Sequence, residues 1–107
     1  YLLCAVVSGA PSVQTPHPAK AVRADGITPL EAMFGVEMAM ASSRHTRQQA
    51  NEIVNQLLEK YESQIDAAPI GKRYQECYEV KSGKPNEDYV RLYNYIKEEL
   101  VKIGILM

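Results

Sequence analysis

Apolar and polar positions alternate along this chain in a way that marks one short apolar run and three helical periods. Leu2 to Val7 has no polar face. That pattern predicts a short strand covered on both sides, as in a parallel sheet. Ser8-Gly9-Ala10-Pro11 ends the run. From Ser12 to Ile27 no period survives. Pro16, His17 and Pro18, then Asp25-Gly26, read as loop and turn.

The first helical period opens at Thr28-Pro29-Leu30-Glu31. A hydroxyl stands at the N-cap, proline at the first helical position and Glu31 where a reciprocal capping box needs it. The helix is expected to run to about Ser42. Leu30, Met33, Phe34, Met38 and Ala41 share a stripe, while Ala32, Val36, Ala39 and Met40 widen it almost all round. Met33, Met38 and Met40 fit core packing better than an adaptable binding surface. A second helix starts at Thr46, with Gln49 in the capping-box position, and should end near Gln64 or Ile65. Its apolar face carries Ala50, Ile53, Val54, Leu57, Leu58 and Tyr61.

Ala67 to Lys84 reads as an irregular strap punctuated by Pro69, Gly71 and Gly83. Tyr74, Cys77, Tyr78 and Val80 are its expected anchors. The third helix begins near Pro85 or Asn86, with Glu87 and Asp88 complementing the dipole of its first turn. Tyr89, Leu92, Tyr93, Ile96, Leu100 and Ile103 form its stripe, and Gly104 is placed to supply a left-handed cap. The organisation expected is residues 1–27 as strand and loop, 28–65 as two helices, and 66–107 as strap and final helix. The fold class is mainly α, with one strand and about three helices.

Composition narrows the function classes. The 107 residues carry 12 basic and 13 acidic side chains, a net charge of -1, which offers no global attraction for nucleic acid or an anionic membrane. No apolar run approaches the roughly 18 residues of a membrane span. No basic segment precedes the opening apolar run, so a signal peptide is not expected. Cys4 and Cys77 are far apart and are expected to be reduced thiols in a cytoplasmic protein. The chain opens at Tyr1 inside an apolar run, which suggests a fragment of a longer protein.

Candidate chemistry is sparse. His17 and His45 are distant from both cysteines, so no zinc-ligand spacing exists. His17 is expected to be a solvated loop residue. His45, at a junction of two helices, suits a capping or hinge role. A nucleophilic Cys77 would be opposed by its neighbours Glu76 and Glu79, and Lys72-Arg73 reads as solvated surface. No dinucleotide or phosphate-loop signature occurs. No catalytic, cofactor-binding or metal-binding residue is assigned. Ser8 and Gly9 are the one candidate edge of a substrate cavity, because a strand ending at Val7 would place them at a barrel's active face; a plain strand exit is the competing reading.

The stretch Ala67-Ala68-Pro69-Ile70-Gly71-Lys72-Arg73-Tyr74-Gln75-Glu76-Cys77-Tyr78-Glu79-Val80-Lys81 resembles the C-terminal region of the monomethylamine methyltransferases of methylotrophic archaea. Pro85-Asn86-Glu87-Asp88-Tyr89 and a closing helix ending at Gly104 follow in similar order. Leu30-Glu31-Ala32-Met33 and Tyr61-Glu62 extend the resemblance more weakly, and Ser12 to Ala24 departs from the pattern. The resemblance implies a parent with an α/β (β/α)8 TIM barrel, of which this chain would supply a terminal strand, helices and strap. It implies transfer of a methyl group from monomethylamine to a corrinoid carried by a cognate partner protein, in methanogenesis from methylamines. It further implies a homo-oligomer and the use of pyrrolysine, to which no position here corresponds. On this reading the segment binds no cofactor, its partner is the rest of the barrel, and its own role is structural. The alternative is an independent, non-enzymatic helical interaction domain.

Overall fold

A computed structural model describes residues 1–14, 16 and 27–107; His17 lies outside the described residues. The element order is α1 (Leu2–Val7), α2 (Pro29–Ser42), α3 (Arg47–Tyr61), a single 3₁₀ turn (Glu62–Gln64), α4 (Tyr74–Cys77), β1 (Tyr78–Glu79), β2 (Lys84–Pro85) and α5 (Glu87–Lys102).

The expected strand at Leu2 to Val7 is a helix. An apolar run of six residues fits a buried strand and a buried helix equally well, and periodicity cannot separate them. What decides is the exit. Gly9 adopts φ +82, its N–H bonds to Val6 O at 3.0 Å, and Ala10 N bonds to Ala5 O at 3.0 Å. These two bonds form a Schellman motif, which terminates helices rather than strands. Leu2 and Leu3 are buried as α1 packs on α2 and α3.

α2 and α3 start where their capping signals stand. Thr46 Oγ1 accepts from Gln49 N at 3.2 Å, and Gln49 Oε1 accepts from Thr46 N at 2.9 Å. α3 ends at Tyr61, slightly short of expectation, and the 3₁₀ turn carries the chain on to Gln64. The supposedly irregular strap is more ordered than its punctuation suggests. It contains α4 and a small antiparallel hairpin that pairs Tyr78 with Pro85 and Glu79 with Lys84. Asn86 N donates to Cys77 O at 2.7 Å and ties the hairpin's exit to its entrance.

One core joins all three parts of the chain. Leu3, Met38, Ala41, Ala50, Ile53 and Ile105 are its centre, with Phe34, Leu57 and Leu100 packed against it. Gly104, at φ +105, ends α5 with a second Schellman pair: Gly104 N to Val101 O and Ile105 N to Leu100 O, both 3.0 Å. That turn drops Ile105 into the core.

Two packing expectations need correction. Met38 is buried, but Met33 and Met40 are exposed. No residue of α5 is fully buried, and Leu92 and Ile96 of its stripe face outward. Periodicity identifies an apolar face; it does not supply the partner that covers it.

Candidate functional site

A cluster of side-chain hydrogen bonds and ring contacts surrounds the N-terminus of α2. The first turn of a helix leaves N–H groups without intrahelical acceptors. Pro29 removes one of them. Thr28 N donates to Glu31 Oε2 at 2.6 Å, the reciprocal half of the capping box. Leu30 N donates to Tyr78 Oη at 2.9 Å. Thr28 Oγ1 and Tyr89 Oη share a hydrogen bond of 2.9 Å. The helix start is thus held by two tyrosines that lie 48 and 61 residues downstream of their partners. Tyr78 in turn stacks on Tyr74, with ring centroids 4.8 Å apart and planes 9° apart, and meets Tyr89 edge-on at 5.9 Å.

Beside this clamp a cleft of about 370 Å³ is lined by Glu31, Lys72, Glu76, Cys77, Asp88 and Tyr89, among others. Its chemistry is quiet. Burial pushes the Cys77 thiol up; Lys72 opposes this, while Glu31 and Glu76 reinforce it. The thiol therefore stays protonated at neutral pH. Glu76 contributes as the sequence suggests, but desolvation leads. Burial also pushes Tyr89 up to about 12, against the Thr28 hydrogen bond. The hydroxyls of Tyr78 and Tyr89 serve as a clamp on the helix start, beside a thiol and a Tyr89 phenol that burial pushes up. These last two do not make a nucleophile or a base at neutral pH.

Ser8 and Gly9 sit at the exposed end of α1. The strand that would have aimed them into a barrel mouth is a helix, and their small size is accounted for by the Schellman turn. The structure brings neither of them to the cleft. His45 is a junction residue: its Nε2 accepts the N–H of Leu106 at 3.1 Å, and neighbouring Arg44 Nη1 donates to Leu106 O at 2.9 Å. Arg47 Nε reaches Val7 O at 3.3 Å. Both cysteines are free, Cys4 exposed and Cys77 buried. Among the described residues no group of three or more His, Cys, Asp or Glu is arranged to hold a metal ion, and no helix is long and apolar enough to cross a membrane.

Charge is arranged between helices. Glu37 of α2 pairs with Lys97 of α5 at 2.7 Å, and the Lys97 hydrogen bond holds its carboxyl below the usual range against desolvation. Glu99 bridges Lys102 at 2.7 Å and Lys60 of α3 at 2.8 Å. Those hydrogen bonds, Lys102 first, hold Glu99 at about 2.

Sequence reasoning places Tyr78 and Tyr89 as apolar anchors and misses their hydroxyls. The only available signal is the shared Cys77-Tyr78 and Asp88-Tyr89 context of the family resemblance, and these tyrosines give that context a structural meaning.

Residues 3–105 match the family model described as monomethylamine methyltransferase MtmB. The chain is 35% identical over 88 residues to monomethylamine methyltransferase MtmB2 of Methanosarcina acetivorans, covering 82% of this chain and 19% of that protein. Identity and coverage are the same for monomethylamine methyltransferase MtmB of Methanosarcina mazei. The crystal structure of the Methanosarcina barkeri monomethylamine methyltransferase superimposes with a TM-score of 0.76 at 35% identity, covering 83% of this chain and 20% of that one. A crystal structure of a hydroxylamine MtmB complex matches equally well. The chain spans about one-fifth of the length of these relatives, and it belongs to the monomethylamine methyltransferase family.

Proposed function

We propose that this chain is a structural segment of a methylamine:corrinoid methyltransferase, completing the fold in which the chemistry occurs. The whole protein would move a methyl group from monomethylamine to a corrinoid carried by a cognate partner, as a cytoplasmic homo-oligomer built on a (β/α)8 barrel. The observation that carries this reading is the match of residues 3–105 to the family. It is supported by the character of the clamp. The residues of the most distinctive stretch, Tyr78 and Tyr89, hold a helix start and present no reactive group.

On this reading the 107-residue chain alone transfers no methyl group. The test has two arms. The isolated chain is assayed for corrinoid methylation from monomethylamine. A chimera is then made in which residues 3–105 replace the matching stretch of the Methanosarcina barkeri enzyme. The expected result is no turnover by the chain and turnover by the chimera. Turnover by the isolated chain at the rate of the whole enzyme would refute the structural role. A folded chimera without activity would refute a purely structural role, and a chimera that does not fold would refute completion of the fold.

A further inference from the structure

From the second face of α2 we infer a docking surface for the four-fifths of the methyltransferase fold that this chain does not span, an inference that rests on the function proposed above. Met33, Val36 and Met40 fall at positions i, i+3 and i+7 and so share one side of the helix. They are 46%, 59% and 61% exposed. The opposite side of α2, through Met38, Ala41 and Ser42, is already committed to the core of this chain.

The remaining polar groups of α2 show that no side of it is built for water. Glu31 is used by the capping box at Thr28. Ser42 is fully buried and donates to Met38 O at 2.6 Å. Glu37 is paired with Lys97 and marks the edge of the exposed ridge. A surface helix keeps one charged face, whereas a helix apolar on both sides is packed on both sides. α3 and α5 provide the contrast. The apolar cleft between them is edged by Lys60 and Glu99, which pair at 2.8 Å.

The occupant follows from the coverage: the chain matches 19% of its relatives' length, so most of the fold is absent from its surroundings. That absent portion is the surface the ridge fits.

Val36→Glu tests this in two settings. In the free chain position 36 is exposed, and the thermal midpoint should move by less than about 2 °C. In the chimera of residues 3–105 the same carboxylate would be buried without a partner, and the midpoint should fall by about 5 °C or more. Asn51→Glu, on the polar side of α3, should leave both settings unchanged. Three results would overturn the docking surface while leaving the proposed function standing. One is a chimera that tolerates Val36→Glu. Another is a chimera that loses as much with Asn51→Glu. The third is a free chain whose self-association is abolished by Val36→Glu while the chimera is indifferent, which would assign the ridge to a second copy. A chimera that fails to fold with Val36 intact would overturn the proposed function, and the docking surface with it.

Discussion

Replacing Tyr78 by Phe isolates one hydrogen bond of the α2 clamp. The substitution keeps the ring, and with it the stack on Tyr74 and the edge contact with Tyr89. It removes the oxygen that accepts from Leu30 N at 2.9 Å. An ordinary intramolecular hydrogen bond contributes about 1 kcal/mol net, and a buried donor left without an acceptor costs about 1–3 kcal/mol. Tyr78 is 4% exposed, so water cannot easily take the place of its hydroxyl. Leu30 is only half-buried, so its N–H regains some hydration. The two considerations together give a loss of about 1–2 kcal/mol. For a chain of this size that is a fall of about 4–12 °C in thermal midpoint, or about 1 M in the urea midpoint. Urea unfolding followed by helical circular dichroism measures it, with Tyr74→Phe as the matched control. An unchanged midpoint at an unchanged slope for Tyr78→Phe would show that the hydroxyl does not hold the helix start.

Gly104→Ala should destabilise the chain by about 1–2 kcal/mol, because φ is +105 there; the added Cβ would meet Ile53 Cγ1 at an ordinary 3.8 Å, so the cost is conformational. A loss below about 0.3 kcal/mol in urea unfolding would refute this. Glu99, held at about 2 rather than 4.5, contributes stability that is fully present above about 4.5 and is lost as pH falls toward 2. Carboxyl NMR titration should show the low midpoint, and Lys102→Met should raise it. Tyr89 and Tyr93 are both raised to about 12, chiefly by burial. Their contribution is fully present below about 10 and lost as pH rises toward 12. Absorbance at 295 nm should show a component ionising toward 12 that Tyr89→Phe and Tyr93→Phe each diminish, and a titration complete near 10 would contradict it.

The parts of the fold that were legible in the sequence are those whose signals are local. Thr46 and Gln49 sit three residues apart and close the cap of α3 on each other. Pro29 and Glu31 mark the start of α2, and Gly104 marks the end of α5. Leu2 to Val7 is not legible as a helix because six apolar residues carry no period of their own; the Gly9 turn settles the matter, and in sequence it looks the same as a strand exit. The candidate edge at Ser8 and Gly9 depended on that strand and loses its footing with it. The functional weight of Tyr78 and Tyr89 was not legible because it resides in hydroxyl contacts across 48 and 61 residues. The exposure of Met33 and Met40 was not legible either, since a pattern records which residues avoid water and not whether a neighbour is present to help them do so.

Both helices of the α2–α3 pair carry a local cap, but the start of α2 also has two partners far along the chain, and this sets an order of assembly. α3 can nucleate as soon as Thr46 to Gln49 has been made, because both halves of its cap lie within one turn. The first turn of α2 can close its Thr28–Glu31 box locally, but it is completed only when loops of 48 and 61 residues close and bring Tyr78 and Tyr89 to Leu30 and Thr28. Loop closure on that scale is an entropic barrier that local helix formation does not face. During synthesis or refolding α3 therefore stands as an early scaffold, while the α2 start remains incomplete until the hairpin arrives. Amide hydrogens in the first turn of α2 should accordingly gain protection after those of α3, and the tyrosine clamp acts as the latch by which the segment registers that its own folding is complete.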